Sequence, residues 1–184
     1  TWAISATIGN LEQAAYHALG TNSQPEMIGG APARSTEISS IFPETIDGFP
    51  WAGHLGLRMY EELVAVLNPG ISTLLFTNTR NQSERWHQCL RFAFIDMEGA
   101  LALHHSAIDR GERESIEAAV KAGEIRWVVC TSSLDLGVDF QPVEQVVQIG
   151  SPKNLARLLQ RAGRSAHIPG GTSKVLFMPT NALE

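Results

Sequence analysis

From Ile71 onward, short apolar runs alternate with amphipathic stretches at a regular spacing. Ser72–Thr77, Ala100–His104, Trp127–Cys130, Val143–Ile149 and Val175–Met178 are brief and mostly apolar, which is the pattern of strands covered on both faces. Between them, Asn81–Phe94, Arg110–Ala122 and Leu155–Ala162 carry the period of a helix. This alternation predicts an α/β fold with a mainly parallel sheet and helices on both faces. Ahead of Ile71 the pattern is looser. Residues 1–8 read as a buried strand, Leu11–Leu19 as a short helix with Asn10 as its N-cap, and Gly20–Gly53 as a segment rich in Gly, Pro, Ser and Thr. Within that segment Ser35–Phe42 alternates as a strand does, and Pro43 ends it. A helix is expected from about His54 to Leu67, closed by Asn68-Pro69-Gly70. The chain shows neither an internal repeat nor a low-complexity tract.

The helix at Leu155–Ala162 organises the candidate chemistry. Leu155, Leu158 and Leu159 fall at i, i+3 and i+4 and are expected to form one buried stripe. Gln160, Arg164 and His167 fall at i, i+4 and i+7 and share another face, with Arg161 one step away. An amide, a planar guanidinium fork and an imidazole along one stripe suit a polyphosphate. The competing reading is a solvated helix face.

Ligands of parallel sheets bind beyond the C-terminal strand ends, and polar clusters lie at those ends here. Thr77-Asn78-Thr79-Arg80 stands at a strand end and a helix start, where free N–H groups bind anions and Thr79 and Arg80 can add contacts to a phosphate chain; N-capping by Asn78 or Thr79 is the competing reading. His104-His105-Ser106 comes after the next strand; adjacent side chains there point to opposite faces, which argues against a metal site. Thr131-Ser132-Ser133-Leu134-Asp135-Leu136-Gly137-Val138-Asp139 offers hydroxyls to a nucleic-acid phosphate. Gly137 permits close backbone approach, and Asp139 can accept from ribose hydroxyls or orient an arginine. A capped turn is the alternative. Asp135 and Asp139 form no acid–base pair, because nothing else completes such a site.

Composition is that of an ordinary globular protein, with 43% hydrophobic and 18% charged residues in 184. One domain with a sizeable core is expected. No apolar run reaches membrane-spanning length and no leader opens the chain, so a cytoplasmic protein without membrane contact is expected. Cys89 and Cys130 lack metal-ligand spacing and read as reduced core thiols. The net charge of −5 argues against a surface that coats nucleic acid. Its distribution is uneven: residues 145–184 hold five Lys/Arg and one acid, a local +4, whereas residues 1–144 hold nine basic and eighteen acidic residues. The basic excess surrounds the Leu155–Ala162 helix and suits a local phosphate site.

Taken together, these stretches resemble the second RecA-like domain of superfamily 2 helicases. Ser5-Ala6-Thr7 resembles motif III, which ends the first RecA-like domain and couples the two; Phe76–Arg80 resembles motif IV, Thr131–Asp139 motif V and Gln160–His167 motif VI. The order is that of the family. The chain is most similar to the Lhr (large helicase-related) group. Within that group Trp51-Ala52-Gly53-His54-Leu55-Gly56, Thr131–Asp139 and Pro179–Glu184 resemble the bacterial DNA-ligase-associated DEXH-box helicases. The resemblance implies a RecA-like three-layer fold. It divides the chain into 1–20, the end of the first RecA-like domain and a connector; 21–70, a linking segment with a first strand and helix; and 71–184, the second RecA-like domain.

The resemblance further implies an ATP-driven motor on single-stranded DNA in DNA repair, moving 3′ to 5′, with ATP and Mg2+ bound jointly with the first RecA-like domain. A DNA ligase or nuclease is an implied partner. By matching position, Arg164 is the arginine finger and Gln160 a γ-phosphate or water contact, with His167 where the commoner motif has a second arginine. Gly137, Asp139 and Arg161 fall at cofactor-binding positions, with internal bracing the favoured role of Arg161. Thr79, Arg80, Ser106, Thr131 and Ser132 fall on the DNA face. The chain holds no GxxxxGK[ST] phosphate loop and no Asp-Glu-x-His box, both of which belong to the first RecA-like domain. It therefore reads as half of an active site, inactive alone. The competing readings are an RNA helicase domain and a non-catalytic nucleic-acid-binding module.

Overall fold

The computed structural model describes residues 10–20, 26–28, 35–43, 45, 49, 51, 53, 55–135, 143–165 and 172–184. Six strands run parallel in one sheet: β1 (Thr36–Ser40), β2 (Thr73–Phe76), β3 (Leu101–His104), β4 (Trp127–Cys130), β5 (Gln145–Ile149) and β6 (Ser173–Met178). Their order across the sheet is β1-β6-β5-β2-β4-β3. The helices are α1 (Leu11–Leu19), α2 (Tyr60–Val66), α3 (Arg80–Ala93), α4 (Arg110–Lys121) and α5 (Leu155–Ala162).

Side chains alternate across the strands, so each strand feeds two cores. Leu75, Trp127, Val129, Val147 and Ile149 face one side, where they meet Met59, Leu63, Trp86 and Leu90 from α2, its preceding turn and α3. Leu74, Phe76, Val128, Cys130 and Val146 face the other, against Leu158 and Ala162 of α5 and the half-buried Val120 of α4. The result is the expected three-layer RecA-like arrangement. Strand β1 and helix α2, both from the segment ahead of Ile71, join this body.

Helix starts obey their caps. Asn10 accepts from Gln13 N, Thr79 from Gln82 N and Asn154 from Arg157 N. The helix expected from His54 begins properly only at Tyr60. Gly56 holds φ at 69°, a left-handed conformation that cannot belong to a right-handed helix, and only a 3-10 turn at Leu57–Met59 intervenes.

The leucine stripe of α5 is also corrected. Leu158 is buried, but Leu155 is 65% and Leu159 41% exposed. The helix is rotated so that Leu158, Arg161 and Ala162 face the sheet. Arg161 can go under because its guanidinium finds partners there, and that rotation turns the other two leucines outward.

Cys89 and Cys130 are both free; burial raises the Cys130 thiol pKa well above its ordinary value. Among the described residues, no helix is long and apolar enough to cross a membrane.

Candidate nucleotide and nucleic-acid interface

The parallel register sets Phe76, Cys130, His104, Gln148 and Phe177 at one level across five strands. The chain leaves all five strands at the same edge of the sheet. Thr77 closes β2 against β4: its amide donates to the Cys130 carbonyl at 2.8 Å and its hydroxyl to the same oxygen at 3.1 Å. The chain then releases Thr79 and Arg80, both exposed. After β3 comes exposed Ser106; after β4 come half-buried Thr131 and exposed Ser132. The five residues assigned to a nucleic-acid face thus lie along one edge, on the neighbouring strands β2, β4 and β3.

Their present partners are modest. The Thr79 hydroxyl caps α3, accepting from Gln82 N at 3.1 Å. Arg80 pairs with Glu84 at 3.0 Å, with 62% and 43% of the two side chains exposed. Such a pair is worth little and leaves the guanidinium able to turn to a phosphate.

His104 and His105 do point apart, as adjacent strand residues must. His104 contacts Ser133 Oγ at 2.8 Å through Nδ1 and Glu117 at 3.1 Å through Nε2. His105 Nε2 instead faces Glu84 at 3.4 Å. Burial holds the His104 pKa below its ordinary value, against the opposing pull of Glu117. No group of three His, Cys, Asp or Glu side chains among the described residues could hold a metal.

The second half of the site is a buried network under α5. Arg161 is 1% exposed. Its Nε donates to Asp135 Oδ1 at 2.8 Å and its Nη1 to Gln148 Oε1 at 2.5 Å. Its guanidinium carbon lies 4.5 Å from the centroid of Phe76. Gln148 passes the chain on, donating to Gly150 O at 2.8 Å. Asp135 also faces Arg157 at 3.5 Å, one turn earlier on the same helix. Arg164, half-buried in the 3-10 turn after α5, donates from Nη2 to the Asp135 carbonyl at 2.9 Å. Burial lowers its pKa while Asp135 raises it, and a guanidinium stays cationic at neutral pH. Gln160, the residue before Arg161 on α5, is half-buried.

The guanidinium of Arg164, the amide of Gln160 and the edge hydroxyls suit anionic phosphate oxygens, such as those of ATP. Arg161 has its fork committed to Asp135 and Gln148, which is a bracing geometry. Ser5, Ala6, Thr7, Gly137, Asp139 and His167 lie outside the described residues. Sequence reasoning misses Gln148 and Glu117, offers the Ser133 hydroxyl to a phosphate where it instead meets His104, and discounts Asp135. Asp135 carries one available signal: Arg157 and Arg161 stand at i and i+4, so one carboxylate can serve both.

The helicase conserved C-terminal domain family matches residues 58–168. The chain is 35% identical over 168 residues to the ATP-dependent helicase Lhr-Core of Sulfolobus acidocaldarius, covering 89% of this chain and 19% of that protein. It is 36% identical over 182 residues to the Lhr-Core protein 2 of Thermococcus barophilus, covering 95% and 21%. Among solved structures it resembles the Mycobacterium smegmatis helicase Lhr bound to ssDNA and AMP-PNP, with a TM-score of 0.81 and 26% identity over 97% of this chain and 24% of that one. The chain thus spans about a fifth of the length of these curated relatives. With its all-parallel RecA-like sheet and a family match over most of its length, the chain belongs to the helicase conserved C-terminal domain family and is similar to the Lhr helicases.

Proposed function

We propose that this chain is the second RecA-like half of an ATP-dependent, single-stranded-DNA helicase or translocase, cytoplasmic and acting in DNA repair. In this reading residues 71–184 are the motor half, residues 21–70 a linking segment with a first strand and helix, and residues 1–20 the end of the first RecA-like domain. Arg164 is the arginine finger, Gln160 contacts the γ-phosphate or the attacking water, and Arg161 braces them from beneath. Gly137, Asp139 and His167 complete the nucleotide side, and Ser5-Ala6-Thr7 couples the halves. Thr79, Arg80, Ser106, Thr131 and Ser132 hold the strand. The first RecA-like domain binds the ATP and Mg2+, and a DNA ligase or nuclease is the working partner.

One observation carries the reading. The segment after β4 sets half-buried Thr131 and exposed Ser132 at the strand edge, and four residues beyond Thr131, Asp135 grips Arg161 by its carboxylate and Arg164 by its carbonyl. A shift of the strand at the edge is therefore transmitted directly to the proposed finger, which is what a nucleic-acid-stimulated ATPase requires.

The test is Arg164→Ala in the full-length protein. A finger acts on charge that develops only in the transition state, so ATP turnover should fall by roughly 10³-fold or more while single-strand binding without nucleotide holds. ATPase surviving within about tenfold of the parent refutes the assignment. Strand competition between DNA and RNA separates the DNA reading from the RNA one.

A further inference from the structure

We propose that Trp51 and Phe42 form a base-stacking end to the single-strand path, on the β1/β6 side of the same edge; this rests on the nucleic-acid reading of that edge. The other described tryptophans, Trp86 and Trp127, are fully buried, whereas Trp51 is 79% exposed. Phe42 is 65% exposed. It stands two residues beyond β1, after Ile41, whose N still donates to Phe177 O at 2.8 Å, so it emerges at the C-terminal edge.

The segment after Trp51 is fastened to that edge as well. The Gly53 carbonyl accepts from Asn181 Nδ2 at 2.8 Å, with Thr180 Oγ1 3.2 Å away. The Leu55 carbonyl accepts from the buried Trp86 indole at 2.7 Å. Two peptide steps separate Trp51 from Gly53, a reach of at most about 7 Å.

Thr180 leads back to the proposed phosphate contacts. A side chain at Gly150, which follows β5, would meet Thr180 Cγ2 at 3.2 Å and Asn78 Nδ2 at 3.3 Å. Asn78 donates to Ser151 O at 2.8 Å and directly precedes Thr79 and Arg80. The edge therefore reads, in spatial order, Phe42, the Trp51 segment with Thr180, Gly150, Arg80, Thr131 and Ser106. From β6 to β2 is two strand spacings, about 10 Å.

The two ends differ in chemistry. The β2-β4-β3 side offers hydroxyls and a guanidinium, which hold a backbone; the β1-β6 side offers two exposed aromatic faces, which hold bases. Aromatic stacking suits a motor, because every base presents a π-face and grip does not depend on sequence. The exposed Phe92 and Ile95 lie at the end of α3 and the turn after it, away from this edge, and take no part.

The experiment uses the full-length protein and two labelled strands of equal length, oligo-dT and a fully abasic strand with the same backbone, read by fluorescence anisotropy. Trp51→Leu should weaken oligo-dT binding about tenfold and leave abasic binding unchanged, since stacking one base is worth about that factor. Trp51→Phe should restore most of the loss, and adding Phe42→Leu to Trp51→Leu should deepen it. Arg80→Ala should weaken both strands alike. If Trp51→Leu binds oligo-dT as the parent does, or weakens both strands equally, the stacking proposal is overturned while the edge reading stands. If the parent binds neither strand, the edge reading itself fails and the stacking proposal falls with it.

Discussion

Asp135→Ala is the sharpest test of the buried network. The carboxylate is 6% exposed and Arg161 1%, and they meet at 2.8 Å. Removing the carboxylate leaves a guanidinium in the interior with the Gln148 oxygen and the Phe76 ring as its remaining partners among the described residues. An uncompensated buried charge of this kind costs about 3–5 kcal/mol. For a domain of this size that lowers the melting temperature by roughly 6–20 °C, at about 2–4 °C per kcal/mol. Asp135→Asn keeps an acceptor for Arg161 Nε and loses only the charge, so its cost should be nearer half. Adding Arg161→Leu to Asp135→Ala removes the stranded cation and should recover part of the loss, giving a coupling energy of the sign expected for partners. Urea unfolding tracked by tryptophan emission measures all three, because Trp86 and Trp127 are fully buried and report on the core. If Asp135→Ala costs under about 1 kcal/mol, or if the double variant is less stable than Asp135→Ala alone, the guanidinium is not held as described.

Thr131→Val keeps shape and removes a hydroxyl; single-strand affinity of the full-length protein should fall by about 0.5–1.5 kcal/mol, and an unchanged titration makes Thr131 a structural residue. The chain alone should fold and show no ATPase above background, with weak strand binding at a log–log salt slope of roughly −2 for three phosphate contacts; phosphate release that Arg164→Ala abolishes would sink the half-site reading. Acid should destabilise the fold: burial holds His104 and His87 below their ordinary pKa of 6.5, so the unfolded chain takes up protons first. That stability is fully present above about pH 6.5 and is lost as pH falls through the lower folded values, and His104→Gln should flatten the loss in urea titrations at pH 7.5 and pH 5.5.

Much of the fold is legible in the sequence because parallel strands buried on both faces read as apolar runs, and Trp127–Cys130 and Leu155–Ala162 fall where their patterns place them. Periodicity misleads in α5 because it treats every arginine as outward-facing. Arg161 is the exception, and its burial depends on Asp135, twenty-six residues earlier, and Gln148, thirteen earlier. Linear spacing shows that Arg157 and Arg161 can share one carboxylate, but not that Asp135 and Gln148 are the partners. The edge residues Thr79, Arg80, Ser106, Thr131 and Ser132 are legible for the opposite reason: each lies just past the end of a strand, and parallel register alone brings them together. Trp51 is visible in the sequence as part of a motif, but its exposure, and the attachment of Gly53 two residues later to Thr180 and Asn181, depend on contacts across the chain.

The pairing of β1 with β6 also sets a timetable. Thr36 stands opposite Ser173, so the first strand of the sheet can be hydrogen-bonded only when the last has been made. At ribosomal speeds of about 5–20 residues per second, the wait is on the order of 10 s. Closing so long a loop comes late in folding, after the central strands have met over shorter crossovers. A strand kept waiting invites pairing with neighbouring chains, and β1 is poorly made for that. It reads Thr-Glu-Ile-Ser-Ser, with a single apolar side chain and a charge beside it. Its polarity, which contributes nothing to the core, lets the newborn chain carry an unpaired strand without aggregating.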